Sequence, residues 1–125
     1  MATMLSLGFA VGSTSARADG DVAAGEKVFK KCLACHVVDS DDKKVGPSLK
    51  GLFGRTAGTH ADFSYSKAMV EAGAGGLVWD ETTVAQYLGD PKGFVKGNKM
   101  SFAGLKKPED IANIIEYLEQ FSPEE

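Results

Sequence analysis

Cys32-Leu33-Ala34-Cys35-His36 is a CxxCH pentapeptide. On a helical turn, thiols at i and i+3 face the same way, so each can add to a vinyl group of a haem while the adjoining imidazole reaches the iron. The expected chemistry is a covalent c-type haem with His36 as one axial ligand. These are the only two cysteines in the chain, which bears on the other uses of such a pair. A structural zinc site takes four ligands, usually from two such pairs. A redox dithiol of the thioredoxin kind sits in a βαβ pattern, whereas the flanks here have helical period. A disulfide across i, i+3 would close a very small loop and contribute little.

The iron's second side can be met by Met69, Met100, His60 or a lysine. Met100 lies in Gly97-Asn98-Lys99-Met100-Ser101-Phe102, beyond Pro91, a stretch too glycine-rich for a helix and free to fold over a haem face. Met69 falls in a short helical pattern, where methionine usually packs a core. His60 stands among Gly58, Thr59 and Asp62, a polar loop that predicts an exposed imidazole. Met100 is the ligand chosen.

The elements that must position these groups read as helices joined by long loops. Asp21 caps a helix whose positions Gly25, Val28, Phe29 and Cys32 carry the 3.6 period into the haem motif. A glycine on that face predicts close contact with another helix. The partner is the last helix, opening at Pro108 with Glu109 and Asp110 and burying Ile111, Ile114, Ile115, Leu118 and Phe121. A third runs from Asp80 through Val84 and Tyr87 to Leu88, stopped by Gly89 and Pro91. Ser64 or Ser66 caps a short one ending near Gly73. No alternating pattern appears, so the fold class is all-α.

Met4 to Val11 is a short apolar run, and Ala16-Arg17-Ala18 is an A-x-A cleavage pattern, so residues 1–18 read as a secretory signal peptide and 19–125 as one domain. Met1-Ala2-Thr3 lacks the positive charge of a leader's start, and a membrane anchor would need about 20 apolar residues. A domain this small buries a limited core, so the haem supplies much of its centre and the apoprotein should fold poorly. The formal net charge is −3, or −4 with Arg17 set aside, which excludes a general nucleic-acid binder. Yet of twelve lysines, five fall between Lys27 and Lys44 and five between Lys92 and Lys107. If the two groups converge, an acidic protein carries one positive face.

The chain resembles class I cytochromes c, of the short bacterial type nearest the mitochondrial protein. The likeness rests on the early CxxCH, Gly46-Pro47-Ser48-Leu49-Lys50-Gly51-Leu52-Phe53-Gly54-Arg55, Phe63-Ser64-Tyr65, Trp79, Tyr87-Leu88, Asp90-Pro91-Lys92 and Lys99-Met100-Ser101-Phe102-Ala103-Gly104-Leu105. It covers nearly all of residues 20–121, in an order opposite to that of four-helix cytochromes, whose CxxCH lies near the C-terminus.

The resemblance implies one covalent haem c ligated by His36 and Met100, with the Pro47 carbonyl accepting the His36 ring N–H. Arg55, Tyr65 and Trp79 would meet the haem propionates, although Tyr65 and Trp79 by themselves read as core aromatics. Tyr87 would sit near the Met100 sulfur, and Phe102 would cover the haem face beside it. Two positions depart from the pattern. The family often has Asn where Met69 stands and Thr where Asn98 stands, holding a buried water and a propionate, so here the polar groups are rearranged.

The function implied is that of a periplasmic, monomeric one-electron carrier and not an enzyme. Its donor would be a membrane quinol-oxidising cytochrome complex and its acceptor a terminal oxidase or photosynthetic reaction centre, docked transiently through the lysine face. A haem peroxidase or a gas-binding sensor domain is the alternative, and each requires that Met100 be labile or absent as a ligand.

Overall fold

The computed structural model describes residues 20–122, so the expected leader at 1–18 lies outside the described residues. Five helices follow one another: α1 (Val22–Phe29), α2 (Lys67–Ala74), α3 (Glu81–Gly89), α4 (Pro91–Phe94) and α5 (Pro108–Glu119). The only extended pairing among the described residues is an isolated antiparallel bridge between Thr56 and Val78. The all-α expectation holds.

Asp21 caps α1 by accepting the Ala24 N–H at 3.0 Å. Its own N–H donates to Asn113 Oδ1 at 2.8 Å, so the start of α1 is tied to the middle of α5. Gly25 is buried where the two helices meet, and a Cβ there would run into the Asn113 carbonyl and the Tyr117 side chain. The glycine lets the helix axes approach, as its place on the apolar face predicted. Phe29, Ile114 and Leu118 are almost fully buried at this crossing. Ile111 and Phe121, expected in the core, are only partly buried and pack against its edge.

Several boundaries differ from expectation. Helix α1 ends at Phe29, and the haem motif follows as successive turns rather than a continued helix. The turns are tight: Cys32 N–H donates to Phe29 O at 2.7 Å and Cys35 N–H to Cys32 O at 3.0 Å. Ser66, not Ser64, caps α2. Gly89 belongs to α3, and Asp90 breaks the chain instead, at once C-cap of α3 and N-cap of α4. Helix α4 was not expected. It is a single turn with a glycine inside it, below the length at which hydrophobic period is readable. After it the chain is irregular through Met100, as the glycine content implied.

Candidate functional site

Every residue singled out for the site lines one cleft of about 970 Å³, open to solvent, between α2, α3, α5 and the loops. Cys32, Cys35 and His36 enter it from the turns after α1, and Pro47 and Arg55 from the following loop. Tyr65, Trp79, Tyr87, Met100 and Phe102 complete the circuit, with Leu52, Val84 and Ile114 among the apolar groups between them. Met69 lines it too, so both candidate thioethers face the same space.

On the His36 side, the ring Nδ1 lies 2.7 Å from the Pro47 carbonyl. A carbonyl has no proton to give, so Nδ1–H is the donor and Nε2 is left bare as a potential ligand. Burial pushes the His36 pKa down. The Pro47 bond opposes this, and Arg55 and Lys44 add to it. The imidazole is therefore neutral near pH 7, the form that binds metal. Gly46 is buried against the ring: a Cβ there would strike His36 Cε1. Its own N–H donates to Cys35 O at 2.7 Å, which holds the Gly-Pro loop beside the motif. Sequence reasoning passed over Gly46, whose only signal was its place before Pro47. Burial, with Cys35 alongside, pushes the Cys32 thiol up to about 11. It is protonated at neutral pH, unlike the activated thiolate of a redox or nucleophilic cysteine.

On the Met100 side, Tyr87 donates its hydroxyl to Met100 Sδ at 3.7 Å. Burial raises the Tyr87 pKa to about 12, which keeps that proton in place. The loop behind Met100 is held by two side chains. Lys92 Nζ donates to Asn98 O at 3.1 Å and to Met100 O at 2.8 Å. Asn98, buried, accepts the Met100 N–H at 2.8 Å.

Arg55 is the cation of the cleft. It donates to the backbone carbonyls of Ser48 and Lys50, and among the described residues no carboxylate pairs with it. Burial pushes its pKa down, while Tyr65 and the Asp41 carboxylate push it up. A half-buried guanidinium bonded to neutral carbonyls is suited to a further anion such as a haem propionate. An apolar cavity with two thiols, a bare imidazole nitrogen, a thioether and this cation fits a covalent haem. His60 contributes to neither of the protein's two main clefts. Contrary to expectation its side chain is only 17% exposed, although the nearest carboxylate, Asp41 at 4.0 Å, is itself well exposed.

One lysine of each group reaches the site. Lys31 lines the main cleft, and Lys99 lines a second that shares Cys35, His36 and Met100 with it. Lys44 Nζ donates to Leu33 O inside the haem motif at 2.6 Å. Lys99 Nζ donates to Ser64 O at 3.1 Å.

Comparison with known proteins gives a consistent result. The family model described as Cytochrome c matches residues 22–122. Cytochrome c2 of Agrobacterium tumefaciens (strain II Chrys) is 50% identical over 101 residues, 80% of this chain and 91% of that protein. Cytochrome c of Chlamydomonas reinhardtii is 54% identical over 103 residues, 81% and 89% of the two chains. The solved structure of cytochrome c2 from Rhodospirillum centenum superposes with a TM-score of 0.80 at 39% identity, covering 83% of this chain and 100% of that one.

Proposed function

The chain belongs to the cytochrome c family, electron carriers rather than enzymes that hold one covalent haem c, and from that premise we propose a soluble periplasmic carrier whose haem is bound by Cys32 and Cys35 and ligated by His36 and Met100. The observation that carries this reading is the convergence of both thiols, the bare His36 Nε2 and the Met100 thioether on one apolar cleft. The bound haem supplies a reversible one-electron couple, and a thioether ligand favours the reduced state.

The chain's own residues do the rest. His36 and Met100 would hold the iron between them, and that would leave no place on it for a substrate or gas to bind. Pro47 fixes the ligating tautomer of His36, and Tyr87 steadies the Met100 sulfur. Arg55, Tyr65 and Trp79 meet the propionates, and Phe102 with the aliphatic lining keeps water from the iron. His60, the only other histidine in the chain, is turned away to Asp41, which disfavours a peroxidase needing a distal acid–base group.

The lysines around the cleft mouth steer an acidic partner surface into short-lived contact. The donor is a membrane quinol-oxidising cytochrome complex and the acceptor a terminal oxidase or photosynthetic reaction centre. Residues 1–18 direct export, and residues 19–125 act as a monomeric domain. No helix among the described residues is long and apolar enough to cross a membrane.

The test is the optical spectrum of the holoprotein and of Met100→Ala. The parent should be low-spin with the red charge-transfer band of Met–S–Fe(III). Met100→Ala should keep its haem, lose that band, bind small ligands and gain peroxidase activity. An unchanged spectrum in the variant would transfer the role to another residue, Met69 first.

A further inference from the structure

We infer that Asn98 is the positioning residue of the Met100 ligand: its side-chain amide stitches α4 to the Met100 backbone and so sets how readily that ligand leaves the iron. The inference rests on the reading of Met100 as axial ligand. Asn98 is 6% exposed, and every other residue of 96–104 is exposed or half-buried. Its Nδ2 donates to Pro91 O and to Val95 O, both at 2.8 Å, and its Oδ1 accepts the Met100 N–H at 2.8 Å. The amide's orientation is not arbitrary. Turned over, it would aim its oxygen at two carbonyls and its NH2 at an N–H.

Both Nδ2 protons are thereby committed to main chain, and no donor remains for a carboxylate of a bound cofactor. The three partners are the first residue of α4, the residue that ends it, and the amide of Met100 itself. The two carbonyls have other bonds: Pro91 O takes the Val95 N–H at 3.1 Å and Val95 O takes the Asn98 N–H at 3.2 Å. For the Met100 N–H, Asn98 Oδ1 is the partner the structure provides. Removing the amide orphans a part-buried donor on the ligand's own residue, and loosens Met100 more than it loosens α4.

The experiment compares parent, Met100→Ala, Asn98→Ala and Ile115→Ala as ferric holoproteins. It reads the Met–Fe(III) band, the affinity for added imidazole and the denaturation midpoint. Ile115 is a buried core residue that does not line the cleft, and its truncation reports loosening of the protein in general.

Asn98→Ala should keep its haem and its band without imidazole, yet bind imidazole roughly tenfold more tightly, the factor that corresponds to one buried hydrogen bond. Ile115→Ala should lower the midpoint with little change in imidazole affinity. An Asn98→Ala affinity within about twofold of the parent, or an equal gain in Ile115→Ala, would overturn the positioning role. Retention of the band in Met100→Ala would instead remove the ligand assignment and the inference with it. Should Asn98→Ala not accumulate as holoprotein, Asn98→Leu, close to it in volume but with neither donor nor acceptor, is read by the same criteria.

Discussion

The two walls of the cleft are built on different principles. His36 is next in sequence to a cysteine of the motif, sits at the end of tight turns, and is braced by a backbone carbonyl and a glycine packed on its ring. Met100 stands in irregular chain, and its place depends on side chains reaching it from elsewhere: Tyr87 from α3, Lys92 from α4 and the buried Asn98. One wall is held by covalent and local geometry, the other by a few replaceable hydrogen bonds. Under the proposed ligation, ligand exchange, tuning and partial unfolding should begin at the Met100 wall.

The sharpest break removes the covalent half. With Cys32→Ser and Cys35→Ser combined, acidic organic solvent should extract all of the haem, against none from the parent, and retention by the double variant would refute the attachment. Next come paired glycine substitutions, one on each wall. Gly46→Ala drives a methyl into His36 and should cost about 1–3 kcal/mol of global stability in denaturant titrations of the holoprotein. Gly97→Ala, at φ +91°, meets the Ala68 Cβ at 3.2 Å and should cost about 1–2 kcal/mol. Its signature differs: the Met–Fe(III) band should fade at denaturant concentrations below the global transition. Simultaneous loss of band and fold in Gly97→Ala would mean the walls are equally firm.

The proposed docking face takes in both walls, because Lys31 adjoins the haem motif and Lys99 adjoins Met100. Lys31→Glu and Lys99→Glu should each slow stopped-flow electron transfer to an acidic partner severalfold at low salt, and flatten its dependence on ionic strength. Glu71→Lys, on exposed α2, should change the rate far less. Equal effects from all three would reduce the lysine face to ordinary charged surface.

Smaller still is Tyr87→Phe. An O–H···S contact contributes about 0.5–1 kcal/mol, so imidazole affinity should rise roughly two- to fivefold, with no change on the His36 side. The slightest effect comes from Asp80, which caps α3 and thereby the element that carries Tyr87. Its pKa is lowered, chiefly by the backbone N–H of Thr83. A depressed folded pKa gives stability that is present above the unfolded value, near 4, and is lost as pH falls through the folded one. The difference in stability between parent and Asp80→Ala should therefore be constant at neutral pH and narrow below about pH 4. A gap that widens on acidification would contradict the capping role.

How much of this was legible follows from which groups make each contact. CxxCH was readable because two thiols and an imidazole at that spacing have few other uses. The α1–α5 crossing was readable because Gly25 interrupts an otherwise apolar face. The ten site residues were found through motif resemblance, and their shared cleft is where the structure puts them. Asn98 and Gly46 stood out in the sequence only as a departure from the family pattern and as part of a matching stretch, and what they do there was not readable. Asn98 reaches three backbone groups that leave no trace in side-chain patterning. Gly46 matters for the atom it lacks. Helix α4 is too short to show a period, although Asp90 followed by Pro91 is a cap-and-first-turn pair. The partial burial of His60 left no mark in the polar composition of its loop.

The bond from the Asp21 amide to Asn113 spans 92 positions of sequence. During synthesis α1 and the haem motif leave the ribosome long before α5 exists to receive them. Until the last helix arrives, Phe29 and Gly25 have no surface to pack on, and the neighbouring thiols cannot be enclosed. A nascent chain thus stays open around Cys32 and Cys35 through most of its production, and closes over them only when it is nearly complete. Truncation within α5 would leave those cysteines exposed, a lesion near the C-terminus felt at a motif close to the other end.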